Sequence, residues 1–439
     1  MSHAHDAPAF HLLNTPATMS TLTLLFILAV LISTAIRLWL TQRQIRSVTT
    51  HRATIPTAFA QTITLAEHQK AADYTVARSK LSQIDTLIGA IVLLIITLGG
   101  GLNWLEAQWH PVGLTTIWQG MAVITSLLLI TSLIDLPLSW IRSFRVEARF
   151  GFNRMTQRMF IVDLFKGLLL GALLGLPLLW VVLSLMNSAS NLWWLYAWAV
   201  WLSFSLLISW AWPILMAPLF NKFTPLKDAA LAERISQLLS RCQFSSAGVF
   251  VMDGSSRSTH GNAYFTGLGR NKRIVFFDTL VERLTPTEIE AVLAHELGHY
   301  SLHHIRKGLI LSAVLSLLGF AVLGYLANWP GFYTALGVTT PSTHAALLLF
   351  MLASGPFLFF LTPLSAAWSR KHEFEADTFA SQHADAQELI NALVKLYRDN
   401  ASTLTPDSVH SRFYDSHPPA LERIAFLNSL HTTPAVQQA

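Results

Sequence analysis

The chain has 439 residues, of which 52% are hydrophobic and only 13% charged. Soluble domains carry about 25% charged residues, so a water-soluble globule, a disordered chain and a collagen-like fibre are excluded. A single cysteine, Cys242, excludes an internal disulfide and any multi-cysteine metal site, and the net charge of +5 has to be explained by where the charges sit.

Seven apolar runs are long enough to cross a bilayer, which takes roughly 20 helical residues. They fall near 20–40, 87–105, 115–141, 160–186, 193–217, 308–329 and 345–368. Lysine and arginine alternate between the connecting segments. Segments 41–86, 142–159, 218–307 and 369–439 hold 6, 5, 11 and 6 of them, whereas 1–19, 106–114, 187–192 and 330–344 hold none. The positive-inside rule then predicts an outer N-terminus and a cytoplasmic C-terminus. The basic balance reads as cytoplasmic loops facing anionic lipid, with no nucleic-acid partner. Ionisable residues inside spans need a reason. Asp135 precedes Pro137 in the third span, and Asp163 and Lys166 lie three apart in the fourth. They read as a buried ion pair or a snorkelling lysine, or else as a polar wall lining a water-filled cavity between helices.

The chain divides into a membrane domain of five spans, 1–217, and a second domain, 218–439, which includes spans six and seven and the cytoplasmic tail. The large loop predicts a helix over 228–244 and strands over 247–253, 262–268 and 272–278. Gly254, Gly261 and the Gly269–Lys272 stretch mark turns between them, giving a small antiparallel sheet. Thr285, Pro286 and Glu288 supply an N-cap, a first-turn proline and a capping-box carboxylate. The helix they open is expected to run through residue 305. In the tail, 366–383 continues helically from the seventh span, and amphipathic helices follow at 386–399 and 419–430.

The capped helix carries His295-Glu296-Leu297-Gly298-His299. Histidines four apart share one helical face, so both imidazoles can reach one ion. Zinc takes such nitrogen ligands in tetrahedral geometry. Glu296, one residue on, is placed to act on a water at the ion as general base. A third ligand is still needed. An elongated HExxHxxGxxH site fails, because residue 302 is leucine and residue 305 isoleucine. His303 and His304 read as interfacial or supporting groups. The better candidate is Glu373, with Asp377 four residues on to orient a ligand histidine through its free N–H. Glu375 points elsewhere on that helix, and His372 is a rival that faces another way. Glu373 lies two spans beyond His299, so the chain returns to the same side of the membrane.

With these residues the sequence resembles the integral-membrane zinc metalloproteases of the CAAX prenyl protease 1 type. The motifs that carry the resemblance are HELGH (295–299), SRKHEFEADTFA (369–380), EARFGFNRMT (147–156), PLFNKFTPL (218–226), HGNAYFTGLGRNKRIVFFDTL (260–280) and SHPP (416–419). The resemblance implies an all-α membrane protein of seven transmembrane helices with a cytoplasmic α+β zinc metallopeptidase domain of gluzincin-like type. It implies one zinc ion per chain, bound by His295, His299 and Glu373, with Glu296 activating the water. It also implies that His417 steadies the developing oxyanion and that Asn262 sits on an edge strand that binds the substrate backbone. The substrate class is a membrane-associated polypeptide. Short loops and a compact tail lead us to expect a bacterial-type member in an inner membrane. The competing reading is a catalytically silent scaffold or transporter of the same fold; an intact Glu296 and the Glu373/Asp377 pair stand against it.

Overall fold

The computed structural model describes residues 19–188, 190–266 and 272–432. Among them seven helices are long and apolar enough to span a membrane: Thr21–Thr50, Leu65–Ile96, Thr116–Glu147, Gln157–Met186, Trp193–Phe220, His304–Leu326 and Thr343–His383. Their outward faces are bare hydrocarbon. Leu133, Phe165, Leu169 and Leu173 are each about two-thirds exposed or more, a surface that only lipid can cover. Their inward faces share one apolar core that includes Phe26, Ile96, Ile124, Leu183 and Leu349.

All seven expected spans are present, with longer helices than the apolar runs alone define. The second differs most. Its helix starts at Leu65 and stops at Ile96, and a separate helix, Gly101–Trp109, follows. The break falls in the Gly99-Gly100-Gly101 run, where Gly100 adopts φ +76°, a conformation costly for residues with a Cβ. The N-terminal tail lies outside the described residues except for Met19, as does the Gly269–Asn271 part of the expected turn.

The chain after the fifth span carries a four-stranded sheet of order β1-β2-β4-β3, with β1 Phe223–Pro225, β2 Val249–Met252, β3 Ala263–Thr266 and β4 Arg273–Phe277. It is mixed rather than antiparallel, because β2 runs parallel to β4. The antiparallel β3–β4 hairpin leaves the inner edge of β4 free, and residues 253–262 cross over so that β2 takes that place. The crossover is tied to the loop after the third span. Arg154 N–H donates to Arg257 C=O at 3.0 Å, and Phe152 stacks on His260 with ring centroids 4.4 Å apart. The β1 strand, three residues ending in proline, is too short to show an alternating pattern.

Asp163 and Lys166 do not pair with each other. Asp163 accepts from the Arg257 guanidinium at 3.0 Å, and Lys166 Nζ donates to Leu219 C=O at 2.8 Å. Both join the fourth span to the chain entering or crossing the sheet-bearing domain. Asp135 is exposed on its helix.

Beneath the sheet a second core gathers Leu238, Phe276, Ile289, Leu293, Leu389 and Leu427. Into it packs the HExxH helix, Pro286–Ser301. Its capping box is complete: Glu288 N–H donates to Thr285 Oγ1, and Thr285 N–H donates to Glu288 Oε2 at 2.7 Å. Lys395 Nζ, from the helix Ala386–Asp399, reaches the same carboxylate at 2.7 Å.

Candidate metal centre and active site

Two helices build the site. The HExxH helix lies against the C-terminal continuation of the seventh span, Thr362–His383. Gly298 sets how closely they approach. A Cβ there would lie 3.0 Å from Ala376 Cα and 3.1 Å from Ala376 C=O. Both contacts are to backbone, so neither can swing aside. Gly298→Ala should therefore push the helices apart and destabilise the fold by about 1–3 kcal/mol. A melting temperature equal to that of the native protein would contradict this.

The close approach brings three donors together. His295 Nε2 and His299 Nε2 lie 3.3 Å apart. Glu373 Oε2 is 3.4 Å from His295 Nε2, and Glu373 Oε1 is 3.2 Å from His299 Nε2. Glu373 is almost wholly buried, and its Oε2 has no hydrogen-bond partner. A buried carboxylate oxygen left this way is costly unless something positive meets it. Donor atoms about 2.0–2.1 Å from a tetrahedral zinc ion are about 3.3 Å from one another. The separation of the two histidine nitrogens matches that spacing, and each nitrogen has one oxygen of the Glu373 carboxylate at a like distance, so this donor set fits zinc.

Asp377 is fully buried and accepts from His295 Nδ1–H at 2.8 Å. That bond leaves the Nε2 lone pair facing the site. Glu296 is half-buried one residue further round the helix. Burial pushes its carboxyl above the ordinary carboxylate range; His295 and His299 pull it down and Glu373 adds to the rise. A higher proton affinity suits a group that must take a proton and pass it on. His417 stands at the exposed rim, with Nε2 3.4 Å from Glu373 Oε1. Asn262 joins neither the cluster nor its hydrogen bonds. It is exposed just before edge strand β3, where its side-chain oxygen accepts from Ala263 N–H at 2.8 Å.

One residue at the site was not anticipated from the sequence. Arg423, from the helix Ala420–Thr432, is 5% exposed. Its Nε donates to Asp377 Oδ2 at 2.9 Å, and its Nη1 lies 3.6 Å from Glu373 Oε2. A signal was present, because Arg423 falls in the stripe that runs Ala420, Ile424, Leu427, all buried. A charge within the apolar stripe of an amphipathic helix needs a buried partner. Glu375, expected to point elsewhere on the helix than Glu373, meets His304 at 2.9 Å.

Seven apolar helices together with an HExxH helix and a later glutamate that converge define a membrane-embedded metallopeptidase. Residues 44–222 match the family described as CAAX prenyl protease N-terminal, five membrane helices, and residues 225–431 match peptidase family M48. The CAAX prenyl protease 1 homolog of Arabidopsis thaliana is 33% identical over 379 residues, covering 84% of this chain and 89% of its own length. The Homo sapiens homolog is 30% identical over 454 residues, covering 91% and 94%. The crystal structure of S. mikatae Ste24p superposes with a TM-score of 0.84 at 30% identity, over 93% of this chain and 99% of that one. This chain belongs to the CAAX prenyl protease 1 family of M48 membrane metalloproteases and is a zinc metalloendopeptidase. The relatives named are eukaryotic, so the expectation of a bacterial-type, inner-membrane member is not supported. It rested on loop length, which does not report the organism.

Proposed function

We propose that this chain cleaves peptide bonds in membrane-attached polypeptides of the prenylated CAAX class for which its relatives are named, at one zinc ion held by His295, His299 and Glu373. The observation that carries this reading is the meeting of three side chains: the two histidine Nε2 atoms lie 3.3 Å apart, and the Glu373 carboxylate sets one oxygen 3.4 Å from His295 Nε2 and the other 3.2 Å from His299 Nε2. A zinc ion there would supply Lewis acidity and lower the pKa of a bound water. The chain's own groups do the rest. Glu296 accepts a proton from the attacking water and returns it to the leaving amine. Asp377, through Nδ1, keeps His295 in the tautomer whose Nε2 is free. His417 at the rim offers an N–H to the carbonyl oxygen as its charge develops. The outer edge of β3, beginning beside Asn262, offers main-chain groups to an extended substrate.

The reading includes a division into a five-span membrane domain, 1–217, and a metallopeptidase domain, 218–439. The distribution of lysine and arginine supports an outer N-terminus and a cytoplasmic active site. The HExxH helix ends at Ser301 and the sixth span begins at His304. The site therefore lies at the membrane face, where a lipid-anchored chain would present its peptide.

Full-length protein purified in detergent, with bound zinc measured by mass spectrometry, tests the ligand set. Glu373→Ala should reduce zinc occupancy to a small fraction of the native level. Unchanged occupancy would remove Glu373 from the ligand set. Cleavage of a farnesylated CAAX peptide but not of its unprenylated twin would support the substrate class. Equal cleavage of both would restrict the reading to membrane-proximal peptides in general.

A further inference from the structure

Behind His299 lies a second group of ionisable side chains. His304, His372 and Glu375 bring one donor atom each within 4.8 Å of one another. The set resembles a second cation site, but the ring geometry argues otherwise. His304 and His372 stack with centroids 3.9 Å apart and planes only 8° from parallel. An imidazole lone pair lies in the plane of its ring, so two near-parallel rings do not point at one ion.

The hydrogen bonds run toward His299 instead. Glu375 Oε2 is 2.9 Å from His304 Nε2, and His304 Nδ1 is 3.1 Å from His299 Nδ1. An ionised carboxylate can only accept, and Lys371 Nζ, 3.8 Å from Glu375 Oε1, favours that ionised form. His304 therefore carries its proton on Nε2 and accepts at Nδ1. His299 then carries its proton on Nδ1, and its Nε2 lone pair is left facing His295 and Glu373. The direction of each bond follows from the one before it.

The backbone makes this possible. In an unbroken helix, residues 299 and 304 would be about 140° apart around the axis. The helix instead ends at Ser301, and His303 sits at φ +60°. A left-handed histidine is an uncommon backbone state that the surrounding structure must hold in place. Here it restarts the chain as the sixth span with His304 turned back onto His299. His304 is buried, and Trp368 packs on the far side of His372 with centroids 4.4 Å apart.

We propose that Glu375 and His304 form a positioning relay that fixes the tautomer and ring orientation of His299, as Asp377 does for His295. This rests on the reading of His299 as a zinc ligand. Two ligand histidines would thus be aimed from opposite sides by carboxylates of one helix, one directly and one through an imidazole. Outer partners of this kind change metal affinity by about 10–100-fold.

The test is zinc affinity of the full-length protein by chelator competition, with the absorption spectrum of the cobalt-substituted protein as a second readout. His304→Phe should weaken zinc binding about 10–100-fold. Glu375→Ala should weaken it by at least the lower end of that range, about tenfold. Both should alter the cobalt band shape. His372→Phe, which keeps the stack and removes the nitrogens, should leave affinity and spectrum unchanged with one zinc per chain. Glu375 is partly exposed, so its variant decides the matter if His304→Phe does not fold. Native affinity and spectrum in Glu375→Ala would overturn the relay. So would two zinc ions per native chain with one lost in His372→Phe, which would make the group a metal site. A native protein that binds no zinc would overturn the ligand reading itself, a result distinct from either.

Discussion

Replacing Glu296 by glutamine is expected to reduce turnover about 10²–10⁴-fold while zinc stays bound. Glutamine keeps the size and the hydrogen-bonding oxygen but cannot hold the transferred proton. Glu296 is not among the three side chains, His295, His299 and Glu373, that come together as candidate ligands, so metal affinity has no reason to fall. Burial pushes its carboxyl above the ordinary range, while His295 and His299 pull it down. Single-turnover cleavage of a farnesylated peptide, alongside zinc content, separates the two effects. Native turnover in the variant would exclude the mechanism, and loss of zinc would make Glu296 a metal ligand.

Arg423→Met should be among the most damaging single changes to stability. Asp377 is 0% exposed and Arg423 5%. Removing the guanidinium leaves a carboxylate in the core with only His295 to answer it. Breaking a buried pair from one side costs about 3–5 kcal/mol. The double variant Arg423→Met/Asp377→Leu should recover most of that loss, since it removes both charges and fills the space with hydrocarbon. Zinc affinity should not recover, because His295 has lost the acceptor on Nδ1, at a cost of about 10–100-fold. Thermal unfolding and chelator competition on the same three proteins read the two quantities separately. If the single variant melts like the native protein, the pair has no structural role. If the double variant regains native zinc affinity, Asp377 does not orient His295.

Much of the site can be read from spacing alone. His295 and His299 share a face because four residues make roughly one helical turn, and Glu373 and Asp377 do so for the same reason. The capping box of Thr285 and Glu288 marks where that helix starts. Arg423 was legible in principle as a charge inside an apolar stripe. The parallel pairing of β2 with β4 was not, because local alternation marks a strand without naming its neighbour. Neither was the relay through His304, since nothing in Leu302-His303-His304 announces that His303 will turn left-handed and break the helix.

By itself, then, the sequence determined that this protein crosses a membrane seven times and carries an HExxH zinc peptidase helix. Hydrophobic length and helical periodicity are properties of contiguous residues, and these statements need nothing more. Only the tertiary structure decided which carboxylate meets which histidine. Glu373 and Asp377 reach His295 and His299 because Gly298 lets two helices approach at Ala376, and Arg423 closes on them from a third. Such meetings depend on the packing of residues far apart along the chain, and no local pattern records that packing.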